Sequence, residues 1–280
     1  MKQSKVILFT LCAMLAFAGN SLLCRLALRG AHIDASSFTL IRLASGALVL
    51  TLLLRARGES LRENGSWWSA LALFVYAGGF SWAYLSLSAG AGALLLFGAV
   101  QASMLGYGLW RGERLHGVQW LGLVLACAGL MGLLLPGATA PEPAGALMML
   151  LAGIAWGAYS LRGRGVANAS ASTAGNFVRA VPLALALVII ALPQAQCDGE
   201  GLMYAIGSGA ITSGLGYAVW YSVLPHLRAT TAAIVQLCVP VIASLGAVVL
   251  LNEALSPRLG LATVAVLGGI GLVIFKRGRN

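Results

Sequence analysis

Ten stretches of mostly apolar residues, each long enough to cross the hydrocarbon core of a bilayer, divide this 280-residue chain. They lie at about 5–28, 35–54, 67–88, 91–111, 118–136, 143–162, 172–193, 201–223, 229–251 and 259–275. A spanning helix needs about 20 such residues. With no water in the bilayer core, each backbone N–H and C=O there must find its partner inside the protein. The chain is therefore expected to be an all-α integral membrane protein of ten transmembrane helices. Polar punctuation separates most windows, as at Pro136-Gly137, Asp198–Glu200 and Ser256-Pro257, whereas only the small residues Ser88–Gly92 part the third from the fourth. Charged residues are 9% of the chain. An ordinary globular protein carries roughly 25%, so a water-soluble shell is excluded. The first window follows Lys2 and Lys5 and runs on to Leu28 without a small-residue cleavage site, so it reads as a retained helix.

The net charge of +10 is dispersed between apolar windows and forms no basic stripe, so no nucleic-acid partner is expected. The basic residues instead set topology. With the N-terminus in the cytoplasm, thirteen of them fall on that side and three, Arg25, Arg29 and Arg258, on the other. Arg42 and Arg179 lie inside helices. This bias places both termini in the cytoplasm and requires an even number of spans. The five cysteines show no metal-ligand or disulfide spacing, so no metal is expected. The chain has no GxxxxGK[ST] loop, HExxH, GxSxG or DDxxD motif, and Lys occurs only at 2, 5 and 276. Enzymatic activity, a cofactor and direct ATP hydrolysis are therefore not expected.

An internal repeat is legible. Phe38–Arg42 in the second window matches Asn176–Arg179 in the seventh, and Trp82-Ala83-Tyr84 in the third matches Trp220-Tyr221 in the eighth. Trp110–Leu115 closes the fourth as Leu251–Leu255 closes the ninth, and glycine-rich windows end each half. The offsets are 137, 137 and 140 residues. Residues 1–138 and 139–280 thus read as two copies of a five-helix unit. Because five is odd, the second copy must enter the membrane from the opposite side. Two inverted repeats around a central cavity are a transporter plan, able to open alternately to either face.

A duplicated five-helix unit with an arginine in its second helix and a glutamate closing its fourth resembles the drug/metabolite transporter superfamily, in its ten-helix EamA-type branch. Pro240 in the ninth window and Trp156-Gly157 in the sixth add to the likeness, although the matching places in the first half read Val100 and Ala18-Gly19. The resemblance covers nearly the whole chain. It implies an inner-membrane exporter, with aromatic and other neutral amino acids as the favoured cargo and drugs or quaternary cations as the alternative.

The candidate binding residues follow from helical spacing. Tyr76, Phe80 and Tyr84 recur every four residues and share a face, and Tyr217, Trp220 and Tyr221 do the same in the eighth window. Trp82, Trp156 and Tyr159 join them at depth. Aromatic walls suit planar or apolar solutes oriented by a few polar groups, although Trp and Tyr also gather at membrane interfaces. Asn20, Gln101, Asn176 and Gln236 supply uncharged polar groups, with Ser21 and Thr212 behind them, although such groups also bond helix to helix. Arg42 and Arg179 are read as structural charges, bonded to backbone carbonyls or a neighbouring loop or snorkelling to an interface, with a carboxylate clamp as the functional alternative. Glu113 and Glu253 are read as caps or surface ion pairs, with gating as the alternative. Every acid and histidine sits at a helix end or in a loop, so no mid-membrane proton relay is expected. The expectation is a facilitative carrier or exchanger for a small solute embedded in membrane lipid, its oligomeric state open. A lipid-modifying membrane enzyme or a non-transporting scaffold ranks lower.

Overall fold

A computed structural model describes residues 2–59, 65–112, 114–137, 140–163, 166–227, 232 and 235–277. It contains ten helices that cross the fold: α1 Gln3–Arg29, α2 Ala35–Ala56, α3 Trp67–Ala83, α4 Ala89–Trp110, α5 Gly117–Leu134, α6 Pro143–Arg162, α7 Ala169–Ile190, α8 spanning 199–223, α9 Cys238–Leu251 and α10 Pro257–Arg277. Among the described residues, β structure is limited to one isolated bridge between Ile33 and Cys197. Eight helices are long and apolar enough to cross a membrane; α3, with 17 residues, and α9, with 14, are shorter.

Two helices differ from the sequence expectation. The third helix stops at Ala83 rather than 88, because a tight turn over Tyr84–Leu87 lets Ser88 cap α4 by accepting the Ala91 N–H at 3.3 Å. In the ninth window residues 232, 235 and 236 are helical, a turn at Leu237 interrupts them, and the helix continues over Cys238–Leu251, with residues 228–231, 233 and 234 outside the described set. Pro240 consequently stands in the first turn of α9, where a missing N–H leaves no bond unmade.

The acids explain the helix starts. The first backbone N–H groups of a helix lack intrahelical partners and carry partial positive charge. Asp34 accepts from Ser36 and Ser37 at the start of α2, Glu142 from Ala144 and Gly145 at α6, and Asp198 from Gly201 at α8. These bonds hold all three carboxyls below their ordinary range, against the opposing effect of burial at Asp34. Acids committed to caps are acids withheld from the interior.

The main pairings are α2 with α7, α3 with α6, α1 with α8, α4 with α6, α1 with α9, α5 with α10, α3 with α7, α2 with α8 and α4 with α9. Exchanging each helix for the one five places on leaves this set unchanged. Small residues permit the closest approaches. A Cβ on Gly122 would sit 2.5 Å from the Gly269 carbonyl oxygen, and one on Gly269 would sit 2.4 Å from that of Gly122, so α5 and α10 meet backbone to backbone. The Gly153/Gly157 pair sets α6 against α4, where added Cβ atoms would strike Ala99 and Ser103. At Gly209, α8 lies so near α2 that a Cβ would fall 2.1 Å from the Arg42 carbonyl oxygen.

Gly209→Ala should therefore destabilise the fold by about 1–3 kcal/mol through overpacking against backbone. Gly78→Ala, where a Cβ meets nothing within 4 Å, should leave stability unchanged or raised. Thermal unfolding of the two purified variants in one detergent checks this, and equal midpoints would contradict the close α2–α8 approach.

A second prediction concerns the exposed loops joining α1–α2 and α7–α8. The His32 Nδ1 lies 2.8 Å from Asp198 Oδ2 and its Nε2 lies 3.5 Å from Glu200. The Asp198 hydrogen bond is the largest cause holding the imidazole above its ordinary value of 6.5. A raised folded value means the stabilisation is complete below pH 6.5 and fades as pH rises through that folded value. Hydrogen exchange in 195–198, corrected for its intrinsic pH dependence, should therefore speed up as pH rises from about 6 to 8. In His32→Gln this dependence should vanish.

Candidate functional site

Asn20 lies well inside α1, Tyr76 in the middle of α3, Gln101 inside α4, Trp156 in α6 and Tyr217 in α8, and all face one cavity of about 450 Å³. Its wall also includes Phe17, Ser21, Phe80, Phe97, Met104, Thr212, Ser213, Trp220, Tyr221 and Gln236. Among the described residues, none that lines it carries a formal charge. Gly163, Val166 and Ala169 of the α6–α7 turn, with Leu224 at the end of α8, form the mouth. Cavities of this size enclose ligands the size of a metabolite.

Aromatic side chains make a continuous wall. The Trp156 ring stacks on Tyr159 at 5.2 Å and on Tyr217 at 5.4 Å, and tilts against Tyr76 at 4.7 Å. From Tyr217 the chain of contacts runs to Phe17 at 5.7 Å and on to Trp220 at 6.0 Å. From Tyr76 it runs to Phe80 at 5.6 Å and Tyr84 at 4.7 Å. Such pairs add about 0.5–1.5 kcal/mol each beyond area burial, which fixes the rings in place before any solute arrives.

The polar floor is organised by α8. This helix is α-helical over Gly199–Ile206, widens into a π-helix over Gly207–Leu215, and returns to α over Gly216–Val223. A π segment shifts side chains around the axis. It turns Ser208 and Thr212 toward α1, where both hydroxyls donate to Asn20 Oδ1 at 2.7 and 3.4 Å. Ser213 faces α2 and accepts from Arg42 Nε at 3.3 Å.

Arg42 does not snorkel. It is 1% exposed, donates from Nη2 to the Tyr76 hydroxyl at 3.0 Å, and lies 4.9 Å and 5.2 Å from the ring centroids of Phe80 and Tyr76. Nη1 has no partner. Placing arginine at mid-membrane costs at least ~2.5–3.5 kcal/mol. Hydrogen bonds from a charged donor return about 1.5–3 kcal/mol each, and the two aromatic faces about 0.5–2 kcal/mol each. The interface expectation is thus corrected: two turns of helix put Arg42 in reach of an interface, but Tyr76, Phe80 and Ser213 hold it inward. Arg179, its match in α7, is half-buried and donates to the Gly175 carbonyl at 2.9 Å, so it keeps a structural place.

The other expected residues divide. Tyr159 and Asn176 line a neighbouring pocket of about 350 Å³ with Ser69, Arg162, Thr173 and Tyr221. Tyr84 is fully buried behind Phe80, its ring edge against Gly92, and neither it nor Trp82 lines either pocket. Tyr84 keeps the face that four-residue spacing gives it, but its ring is enclosed between Phe80 and Gly92 and does not reach the cavity. Glu113 lies outside the described residues. Phe17 and Ser213 were missed. Phe17 sits three residues before Asn20 and so on its face, a signal present in the sequence, whereas the position of Ser213 depends on the π segment.

Glu253 joins helix ends on the side of the fold where α1 ends and α4 begins. Asn252 adopts a left-handed conformation, φ 51°, that ends α9. The chain turns there, and Glu253 Oε1 accepts from Arg25 Nε at 3.0 Å while Oε2 accepts the Ala89 N–H at 2.9 Å. Arg25 also donates to the carbonyls of Tyr84 and Leu85. The ends of α1, α3 and α9 and the start of α4 are thereby tied at one point, with Arg25 and Glu253 only 12% and 11% exposed.

A helical fold of ten membrane-crossing elements around an aromatic-walled cavity defines a polytopic membrane protein. The sequence profile of the EamA-like transporter family matches residues 4–135 and again 143–275, and the chain belongs to this family of membrane transporters. An uncharacterized protein of Pseudomonas aeruginosa is 56% identical over 278 residues, 99% of this chain and 97% of that protein. A solved crystal structure shares the fold at a TM-score of 0.71 and 21% identity, over 99% of both chains.

Removing the charge at the tied end should loosen it. In a variant without native thiols, Ser21→Cys on the cavity wall should react with an impermeant maleimide applied to the α3–α4 face about tenfold faster when Glu253→Gln is added. An unchanged rate would mean that the ion pair does not hold this end shut.

Proposed function

We propose that this protein is a secondary transporter that exports amino acids, with aromatic and other neutral side chains favoured, across the inner membrane. The observation that carries the reading is the Trp156 stack with Tyr76, Tyr159 and Tyr217 beside the uncharged polar groups of Asn20, Gln101 and Gln236. Ring faces take a planar side chain, and hydroxyls and amides take a polar backbone end without the cost of burying further charge. Quaternary cations are the weaker candidates, since the described lining has aromatic faces but no carboxylate.

On this reading the halves 1–138 and 139–280 are inverted repeats, and transport is their rocking about the cavity. The helix pairing that survives exchange of the halves supports it, as does the double family match. Both termini lie in the cytoplasm by the basic-residue bias. The mouth at the α6–α7 turn is then cytoplasmic, and the Arg25–Glu253 tie closes the far side. All acids described here sit at helix ends or in loops, which favours a facilitative or exchange mode over proton coupling, with no enzymatic step.

Flux of labelled phenylalanine into proteoliposomes containing only this protein tests the reading, with and without an imposed proton or sodium gradient. Uptake should follow the amino acid's own gradient, and Trp156→Ala should lower it about threefold to tenfold. A folded protein that moves no amino acid would refute the assignment.

A further inference from the structure

The described lining of the cavity is neutral, yet a full positive charge lies directly behind its floor. Arg42 is buried, and among the described residues the ion pairs are Arg25 with Glu253 and His32 with Asp198 and Glu200, so no carboxylate partners it. Its guanidinium reaches the cavity through two lining side chains, Tyr76 and Ser213. Both hydroxyl oxygens accept from Arg42. A hydroxyl that accepts in this way keeps its own proton for another acceptor, and among the described residues neither hydroxyl donates elsewhere. Two donors, each polarised by the same buried cation, are therefore left at the floor, where low polarity strengthens them.

We infer that Arg42 makes the cavity a carboxylate-selecting site, with the solute carboxylate seated on the Tyr76 and Ser213 hydroxyls and its ring on the Trp156 stack. This rests on the reading of the cavity as the solute site and names the group that the site requires. Arg42 acts as a positioning residue: it orients the two donors and supplies the charge that a carboxylate neutralises. The solute's amino group is dispensable by this account, and a cation without a carboxylate is rejected by the field of the guanidinium.

Three probes with one ring decide the matter: phenylalanine, 3-phenylpropionate, which has the carboxylate alone, and 2-phenylethylamine, which has the amine alone. Each is competed against labelled phenylalanine bound to the detergent-purified protein, and each is tested for ligand-induced thermal stabilisation. Phenylpropionate should compete at concentrations near those of phenylalanine, and phenylethylamine should need about 10- to 100-fold more. Tyr76→Phe and Ser213→Ala, which keep shape, should each shrink that ratio, and Arg42→Lys should retain more of it than Arg42→Gln. If phenylalanine binds and phenylethylamine competes as well as phenylpropionate, the carboxylate assignment falls while amino acid transport stands. If phenylalanine is neither bound nor carried, the proposed cargo falls. The carboxylate assignment is then read from thermal stabilisation alone, and falls if phenylpropionate stabilises no better than phenylethylamine.

Discussion

A bilayer offers no hydrogen-bond partner to a polar group, and nearly every feature of this chain follows from that constraint. Backbone groups are satisfied inside helices. Loop acids are drawn to helix starts, where unbonded N–H groups and the helix dipole hold them, as at Asp34, Glu142 and Asp198. What remains for the interior is neutral: hydroxyls, amides and aromatic rings. Arg42 is the exception, and its neighbours answer to it. Tyr76 and Ser213 accept its protons, and Phe80 and Tyr76 turn their faces toward it.

Arg42 and Arg179, 137 residues apart in the chain, meet different surroundings. Arg179 bonds the backbone of its own helix at Gly175. Arg42 meets α8, which approaches closely because Gly209 has no side chain and because the π segment rotates Ser213 into range. One arginine thus has a helical backbone contact and the other a place behind the cavity floor. The difference arises from the neighbouring helix in each case.

The Arg25–Glu253 tie lies where α1 ends and α4 begins. A single carboxylate there bonds a guanidinium and caps α4, so the turns of four helices are coupled through one side chain. Losing one contact there would loosen several elements together.

The sequence by itself determined the ten helices, because runs of about twenty apolar residues have no other stable state in lipid. It also determined most of the cavity wall, because residues four apart share a helix face. Asn20, Tyr76, Phe80, Gln101, Trp156, Tyr217, Trp220, Tyr221 and Gln236 all line it. Only the tertiary structure decided the rest. Tyr84 is absent from the wall because Phe80 and Gly92 enclose its ring, and Tyr159 and Asn176 went to the adjoining pocket. Ser213 entered the wall because of a π segment, and Arg42 went inward rather than to an interface because partners on α3 and α8 were waiting for it. Helical periodicity fixes which residues share a face; which helix that face meets, and whether a charge finds donors and acceptors there, is set by contacts between segments far apart in the chain.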